Sequence, residues 1–485
     1  MTATWTVQRI LDATGGALVR GSAAAGVEGV TIDSRRLQPG EAFVAIRGAR
    51  FDGHEFLGEV ARRGAACCIV SHAPPATNGL AHLPTILVPD TTVALGHLAR
   101  FHRRQWGRTV IAVTVSCGKT TTKELIAHLL GGPDTVLKTT GTQNNHIGVP
   151  LTLLRMQSSH EAAVVELGSN HPGEIEQLAA IAEPNAAVIT NVGPVHLEFF
   201  SSLMGVLHEK LSLLDAVPSH GFVVLPGDQL DVCLEARRHL QPHIRRVTFG
   251  TTDRCDLQAF DIQRCAGGMV LRLRDQASQW TIPLVGYHYV ENTLAALVCV
   301  WAMGLPLSVA KERLRSFRPM PLRSEVLHCQ GITILNDCYN ANPLSVARAL
   351  ETLGEMDVRR TVAIIGDMLE LGPFTRAAHH AIGQLAAQLG IDVVIPVGAY
   401  AETVAEGVRR SRVDGVKTFR TAQELIQQLP AMLQEGDGLL VKGSRKLHLE
   451  EVTEFLMRQS QSRAVAVWQT VGESRPCGNQ FHQQG

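Results

Sequence analysis

Residues 109–130 read TVIAVTVSCGKTTTKELIAHLL, and this stretch decides the class of fold. The apolar, β-branched run 109–115 predicts a buried strand, and the residues after it predict a helix. A glycine at the start of such a helix lets backbone N–H groups surround phosphate oxygens, while a lysine adds charge and the next hydroxyl can ligate magnesium. We predict a phosphate-binding loop, with Lys119 on the β- and γ-phosphates and Thr120 on Mg²⁺. Its nucleotide-binding residues are Ser116, Cys117, Gly118, Lys119, Thr120 and Thr121.

A second interpretation of this loop stays open, an ordinary strand–turn–helix unit capped by a threonine. A full Walker A motif carries a glycine five residues before Gly118, where this chain has Val113. A shorter glycine-rich loop carries one where this chain has Val115. Glycine there permits positive φ and close backbone approach, and a β-branched residue does neither easily. The four residues 118–121 alone therefore do not separate nucleotide binding from a structural turn.

The rest of the chain alternates strand-like and helix-like segments, which is typical of α/β folds. Apolar runs at 162–167 and 186–192 join 109–115 in a predicted parallel sheet, and we expect antiparallel strands at 245–250 and 269–275. The alternation resumes near the C-terminus and predicts a Rossmann-like domain. We predict a small N-terminal α/β domain at 1–106, a central P-loop, parallel-sheet ATPase domain at 107–318, a C-terminal Rossmann-like domain at 319–457 and a polar, disordered tail at 458–485.

Composition narrows the class of protein. With 485 residues, 45% of them hydrophobic, the chain can build about three packed domains. Its 45 basic and 45 acidic side chains give a formal net charge of zero, which argues against a nucleic-acid partner. The ten cysteines form no C-x-x-C pair, and no basic stretch precedes a long apolar run at the N-terminus. We expect a cytoplasmic monomer without a membrane span that acts on small molecules.

Several motifs together carry a family resemblance. TVSCGKTTTKE is similar to the phosphate loop of the Mur ligase family, and six further motifs follow in that family's order. They are TQNNHIGVPLTLL (142–154), VVELGSNHPGEI (164–175), ITNVGPVHLE (189–198), NDCYNANP (336–343), IIGDMLELG (364–372) and VKGSR (441–445). The likeness spans residues 25–457, and the stretch 33–56 resembles the family's uridine-nucleotide-binding domain.

The resemblance implies an ATP-dependent, ADP-forming amide-bond ligase of peptidoglycan synthesis. The stretch 339–343 is most similar to the branch that adds D-alanyl-D-alanine to UDP-N-acetylmuramoyl-tripeptide, with ATP and Mg²⁺ as cofactors. In that reaction the tripeptide carboxylate attacks the γ-phosphate to form an acyl phosphate, and the dipeptide amine then displaces phosphate. Two anionic reactants meet at the point of transfer, so the site needs positive charge and metal.

The resemblance also implies metal ligands. It makes Thr120 and Glu166 ligands of Mg²⁺, and His196 and a carbamylated Lys210 ligands of a second metal ion. Without it, plainer interpretations stand: a helix-capping carboxylate for Glu166, a structural histidine for His196 and an exposed helix lysine for Lys210. The resemblance implies five catalytic residues, which are Lys119, Glu166, His196, Lys210 and Arg323.

Three further residues match nucleotide contacts of the family. Asn292 matches the asparagine that contacts adenine, and Arg323 matches the arginine that reaches the γ-phosphate, a role that suits a guanidinium fork. Asp337 matches the carboxylate that binds the ribose, and it follows a predicted strand, where α/β folds bind ligands.

Substrate contacts are implied for polar residues within the matched motifs. For the UDP-sugar-peptide the candidates are Ser34, Arg35, Asn144, Asn145 and Ser169. For D-alanyl-D-alanine the candidates are Tyr339, Asn340, Asn342, Asp367 and Lys442.

The chain departs from the family pattern at several small residues. Val115 and Cys117 replace a glycine and an asparagine of the loop, Leu322 replaces the glycine before Arg323, and Phe-Phe-Ser at 199–201 replaces Gly-Phe-Gly. The charged residues assigned above all remain, which favours an active ligase. Two alternatives stay open: a weakly active or inactive protein that binds a nucleotide or UDP-sugar, and a sister ligase with another amino-acid substrate.

Overall fold

A computed structural model describes residues 5–73, 80–265, 267–409 and 416–459. They fall into two compact units, one drawn from Met1–Pro283 and His288–Phe317 and the other from Leu284–Tyr287 and Arg318–Gly485. The predicted tail at 458–485 lies outside the described residues, apart from its first two. The fold is α/β, as predicted.

The first unit begins with a five-stranded sheet of order β2-β7-β6-β5-β4, parallel except at β2. The strands of this region are β1 (Trp5–Thr6), β2 (Ala17–Arg20), β3 (Gly26–Val27), β4 (Gly29–Thr31), β5 (Glu41–Val44), β6 (Cys67–Val70) and β7 (Thr85–Leu87). Its helices are α1 (Val7–Thr14), α2 (Leu57–Arg62) and α3 (Thr91–Trp106). β1 and β3 pair separately and antiparallel.

A nine-stranded sheet of order β16-β15-β14-β13-β12-β11-β8-β10-β9 forms the rest of the first unit. Its strands are β8 (Thr109–Thr114), β9 (Val136–Lys138), β10 (Ala162–Glu166), β11 (Ala186–Ile189), β12 (Phe222–Pro226), β13 (Arg245–Gly250), β14 (Leu257–Cys265), β15 (Gly268–Leu273) and β16 (Trp280–Ile282). Its helices are α4 (Lys119–Leu130), α5 (Gly148–Leu153), α6 (Glu174–Ala182), α7 (Leu197–Phe200), α8 (Leu203–Leu211), α9 (Leu230–Ala236), α10 (Tyr287–Ala302) and α11 (Leu307–Arg315).

The pairing of this sheet confirms most of the predicted strands and corrects one. β8 lies between β10 and β11, parallel to both, and the three are fully buried apart from the first residue of β8. β15 is antiparallel to both of its neighbours, as predicted for 269–275. The antiparallel prediction for 245–250 was wrong, because β13 runs parallel to β12 and β14. The connection through α9 returns the chain to the same edge, and such a crossover joins parallel strands.

Helix α3 joins the two sheets of the first unit through three arginines. Arg103, which is 6% exposed, donates to the carbonyls of Ala182 and Glu183 and, at 2.7 Å, to Oδ1 of Asn185. The same Oδ1 accepts the N–H of Val110, the second residue of β8. The other two arginines of α3, at positions 100 and 104, both pair with the carboxylate of Glu183. The helix is therefore fixed to the strands that carry the phosphate loop.

The second unit contains a five-stranded sheet of order β17-β18-β21-β19-β20, parallel except at β17. Its strands are β17 (Glu325–Cys329), β18 (Ile332–Asn336), β19 (Arg360–Gly366), β20 (Val393–Val397) and β21 (Asp437–Lys442). Its helices are α12 (Pro343–Gly354), α13 (Thr375–Gln388), α14 (Ala401–Arg409), α15 (Ala422–Gln428) and a last helical stretch at 450–459. Apolar cores cover both faces of this sheet, as predicted for a Rossmann-like domain.

None of the helices in the described ranges is long and apolar enough to cross a bilayer.

Candidate functional site

The predicted phosphate loop connects β8 to α4, and its glycine is required on two grounds. Gly118 is the N-cap of α4 and has a φ of +96°, a conformation that other residues rarely adopt. A Cβ at this position would lie 2.4 Å from Oδ1 of Asn292, a buried residue of α10. The amide predicted to contact adenine thus lies directly against the glycine of the loop.

The two departures in this loop, Val115 and Cys117, do not demand glycine. Neither residue has a positive φ. Ser116 between them is held by the motif that follows β11, since its Oγ donates to the carbonyl of Gly193 at 3.0 Å and accepts that residue's N–H at 2.9 Å. The N–H of Cys117 donates to Oδ1 of Asn191 at 2.9 Å. The main chain of Gly193 and the side chain of Asn191 therefore hold Ser116 and Cys117 in place.

The start of α4 has the chemistry of an anion site. Within the helix, Thr122 is the first residue whose N–H reaches a carbonyl, that of Gly118, at 2.9 Å. The N–H groups before it have no intrahelical acceptor and lie at the positive end of the helix dipole. The ammonium of Lys119 donates to the carbonyl of Val115 at 2.8 Å, which folds this side chain back over the loop. Thr120, the predicted metal ligand, is buried.

Glu166 ends β10, the strand beside β8, and is 1% exposed. Its Oε1 accepts a hydrogen bond from Nδ2 of Asn144 at 2.8 Å. Its Oε2 has no hydrogen-bond partner among the described residues, although the ammonium of Lys123 lies 3.8 Å away. A buried carboxylate oxygen without a donor is costly, and a hard cation would satisfy it. This oxygen fits the Mg²⁺ that the sequence predicted.

Lys123 is a functional candidate that sequence reasoning missed. It is fully buried, and its ammonium donates to the carbonyls of Thr139 at 2.7 Å and Gly141 at 3.0 Å. It also lies 3.1 Å from Oε1 of Glu124. It therefore ties the phosphate helix to the loop that carries Asn144. The sequence feature that could have identified Lys123 is its spacing of four residues from Lys119, which puts both lysines on one face of α4.

Lys210 is completely buried, so its plainer interpretation as an exposed helix lysine was wrong. Its Nζ donates to Oγ of Ser169 at 2.7 Å. Burial, followed by the charge of Lys119, lowers the pKa of Lys210 to about 7, while Glu209 and Glu174 act in the opposite direction. An amine with such a pKa is partly uncharged at neutral pH and can act as a nucleophile.

Glu209 and His196, which belong to the same region of the predicted site as Lys210, make contacts of their own. Glu209 caps α6 from another helix, because its carboxylate accepts the N–H groups of Gly173 at 2.7 Å and Ile175 at 2.8 Å. His196 is the N-cap of α7 with a φ of +49°, and its ring meets Phe200 edge-on. Ser201, at the place of a family glycine, has a φ of +62°.

The second unit brings Arg323, Asp337, Tyr339 and Lys442 together. The guanidinium carbon of Arg323 lies 4.1 Å from the ring centre of Tyr339. Asp337 pairs with Lys442, with 2.8 Å between Oδ2 and Nζ. Leu322, the residue before Arg323, has a φ of +63°. These four residues and the two beside the arginine, Leu322 and Ser324, are called the Asp337 cluster below.

Known proteins match this chain over most of its length. Three family models match: the Mur ligase family catalytic domain at 26–103, the Mur ligase middle domain at 113–300 and the Mur ligase glutamate ligase domain at 322–445. A UDP-N-acetylmuramoyl-tripeptide–D-alanyl-D-alanine ligase of Bacillus subtilis is 33% identical over 89% of this chain and 93% of its own. The chain belongs to the Mur ligase family.

Solved structures agree with this membership. A crystal structure of MurF from Acinetobacter baumannii superposes with a TM-score of 0.86 at 30% identity, covering 94% of this chain and 99% of its own. MurF ligase from Thermotoga maritima, solved in complex with ADP, gives a TM-score of 0.80 at 27% identity over 90% of this chain and 99% of its own. This Mur ligase therefore has the fold of the MurF structures.

Several predicted substrate residues of this Mur ligase have structural partners. Oδ1 of Asn145 accepts the N–H of Gly148, the first residue of α5, and Asn342 caps α12 with Ser345 in a capping box. Asp367 accepts the N–H groups of residues 399 and 400. Since these atoms already stabilise loops and helix ends, their contacts with substrate stay predictions.

The predicted uridine-site residues lie at the carboxyl end of β4. Ser34 is buried, and the exposed guanidinium of Arg35 pairs with Asp33 at 2.9 Å. The carboxyl ends of parallel strands are where α/β sheets bind ligands.

No group of three or more His, Cys, Asp or Glu residues within the described ranges could hold a metal ion.

Proposed function

We propose that this chain joins D-alanyl-D-alanine to UDP-N-acetylmuramoyl-tripeptide, consuming ATP and forming ADP and phosphate. The observation that carries the proposal is the likeness, at 33% identity over 89% of the chain, to a ligase of that name. The likeness covers the phosphate loop, the buried glutamate and the Asp337 cluster alike. The matched family segments also support the division into three domains near residues 106 and 318.

ATP would bind with its phosphates at the start of α4. The N–H groups of the first helical turn and the ammonium of Lys119 would stabilise the β- and γ-phosphates. Asn292, which lies against Gly118, would contact adenine. Arg323 and Asp337 would bind the γ-phosphate and the ribose, roles that rest on the family likeness.

Mg²⁺ would be held by Oε2 of Glu166 and the hydroxyl of Thr120. When bound, it would neutralise charge that develops on the transferred phosphoryl group. Asn144 keeps the glutamate in place through its other oxygen, so Glu166 offers one fixed ligand atom. Glu166 and Thr120 are both buried.

The second half of the reaction would use the surroundings of Lys210. Its partly uncharged amine can take up carbon dioxide, and the resulting carbamate would ligate a second metal ion together with His196. Ser169 orients this amine, so its effect on the peptide substrate would be indirect. The tripeptide carboxylate would attack the γ-phosphate, and the dipeptide amine would then attack the acyl phosphate.

The test is phosphate release by the purified protein with ATP, Mg²⁺, UDP-N-acetylmuramoyl-tripeptide and D-alanyl-D-alanine. We expect turnover only when all four are present, and a loss on the order of 1000-fold for Lys119→Met. Lys446→Met, an exposed lysine of the second unit, is the matched control.

Two other outcomes would identify the alternatives. Turnover with a UDP-dipeptide and a single amino acid would indicate a sister ligase. Binding of ATP or UDP-sugar without turnover under any of these conditions would indicate a protein that has kept the fold and lost the reaction.

A further inference from the structure

Lys442, the last residue of β21, uses its whole ammonium group inside the protein. Nζ lies 2.8 Å from Oδ2 of Asp337 and donates to the carbonyls of Asp337 at 3.2 Å and Asn340 at 2.8 Å. The side chain is 2% exposed. An ammonium has three N–H donors, and these three acceptors match that number. Lys442 therefore has no donor left for the dipeptide that the sequence assigned to it.

Asp337, by contrast, keeps acceptor capacity. Its Oδ2 pairs with Lys442 and its Oδ1 accepts the N–H of Ser324 at 3.1 Å. An ionised carboxylate offers about four acceptor positions, so about two remain. The side chain is 16% exposed, which leaves the carboxylate accessible to a ligand. A carboxylate held at both oxygens and still able to accept two hydrogen bonds suits a pair of neighbouring hydroxyl groups.

The same contacts hold Arg323. Ser324, the next residue, is bonded to Asp337, and the carbonyl of Leu322, the residue before, accepts the N–H of Tyr339 at 3.1 Å. The guanidinium then lies over the Tyr339 ring. A substitution of Lys442 would therefore disturb the carboxylate of Asp337 directly, and Arg323 indirectly through Asp337.

We propose that Lys442 is a positioning residue for the nucleotide: it orients Asp337 toward the ribose hydroxyls and does not contact the dipeptide. The proposal rests on the ATP-dependent function proposed above, and on the ribose role of Asp337 within it. Its consequence is specific, since loss of Lys442 should weaken discrimination between nucleotides that differ only in a ribose hydroxyl.

The experiment compares ATP with 2′-deoxy-ATP in the full-length protein, by kcat/KM and by calorimetric binding. The variants are Lys442→Met, Asp337→Asn and the double variant. We expect Lys442→Met to reduce the preference for ATP about tenfold, the size expected for one charge-assisted hydrogen bond, with the KM for D-alanyl-D-alanine unchanged. The double variant should lose no more than Asp337→Asn alone, because both changes act on one contact.

Three controls keep the outcome interpretable. Lys446→Met should leave the preference intact, because that side chain is exposed. Lys442→Arg, which retains the charge, should recover part of it. Thermal unfolding of each variant distinguishes a loss of folded protein from a loss of discrimination between the nucleotides. The double variant removes both charges, so neither charge is left buried without its partner.

A raised KM for D-alanyl-D-alanine with an unchanged ATP preference would overturn the proposal and return Lys442 to the dipeptide site. An intact preference in Asp337→Asn would also overturn it. If the protein bound nucleotide without turnover, the calorimetric ratio would still decide the role of Lys442, while the proposed ligase activity alone would fail.

Discussion

The phosphate loop and the segment around Arg323 both depart from their family's pattern at a small residue, but with opposite structural results. In the loop, Val115 and Cys117 have ordinary backbone angles, and glycine is kept at 118, where φ is +96°. Beside Arg323, Leu322 and Ser324 themselves have φ values of +63° and +48°. The loop replaces one family glycine at a position where the backbone does not need it, and the segment beside Arg323 adopts glycine's conformation without glycine.

This difference teaches that the replacement of a glycine costs stability only where the backbone has a positive φ. A left-handed conformation costs a residue with a Cβ about 1–2 kcal/mol. In the Arg323 segment two hydrogen bonds offset that cost, from the N–H of Ser324 to Asp337 and from the N–H of Tyr339 to the Leu322 carbonyl. Strain held by neighbours in this way is commonly found at functional sites.

The strongest test of this comparison is Gly118→Ala. A Cβ there would clash with Asn292 and occupy a positive φ, so we expect the loop to shift and kcat/KM for ATP to fall on the order of 100-fold or more, about 2.7 kcal/mol. Gly132→Ala is the matched control, because Gly132 has a φ of +83° with nothing within 4 Å of the added Cβ. Equal losses of ATP affinity in both variants, measured by calorimetry, would show that the clash with Asn292 is unimportant.

A second test uses the effect of the loop lysine, Lys119, on the buried amine of Lys210. The pKa of Lys210 is about 7 in the folded protein against 10.5 for an ordinary lysine. Between these values the unfolded chain binds a proton that the folded chain does not, so the free energy of unfolding should rise with pH by up to about 1.4 kcal/mol per unit. Below pH 7 both states are protonated and the penalty for burying the charge is complete. Urea denaturation should show that Lys210→Met removes this slope.

The charge of Lys119 provides the control for that measurement. It is the second cause of the lowered pKa of Lys210, after burial. In Lys119→Met the pKa of Lys210 should rise and the slope should begin at a higher pH. An unchanged profile in this variant would mean that the loop lysine does not act on Lys210.

The smallest expected effect compares glycine with alanine at two positions. At Val115, with ordinary φ, the alanine variant should be more stable than the glycine variant by about 0.5–1 kcal/mol. At Leu322, with positive φ, the order should reverse by about 1 kcal/mol, because alanine retains the strain that glycine relieves. Both pairs lose a buried or partly buried side chain, so the difference within each pair isolates the backbone. If the same residue, alanine or glycine, gave the more stable variant at both positions, the contrast between the two regions would be refuted.

Much of the fold could be predicted because long apolar strands carry their own signal. The runs at 109–115, 162–167 and 186–192 became adjacent parallel strands. The direction of the strand at 245–250 could not be predicted, because it depends on the seven-residue helix α9, whose sequence LDVCLEA is a weak signal of its own. Strand direction follows from the connection, and the strand's residues do not encode it.

The candidate site was predictable only in part. Lys119 and Glu166 belong to motifs that can be read along the chain. The pairing of Asp337 with Lys442 joins residues 105 positions apart, and no local pattern indicates it. The positive φ of Leu322 was equally hidden, since leucine rarely adopts it and the bond that its carbonyl accepts comes from the distant residue Tyr339.

The arginines of α3 have a consequence for recombining parts of related enzymes. Arg103 is bonded to two main-chain carbonyls and to the Asn185 side chain, while Leu95 and Leu98 of the same helix pack in the core of the first sheet, so α3 has partners on both sides. A chimaera that takes its first sheet from a relative and crosses over before Thr91 would therefore keep the hydrogen bonds of Arg103 but set the apolar face of α3 against a foreign core. A junction after Trp106 would pair a foreign helix with native acceptors, and would leave Asn185 with one donor in place of two.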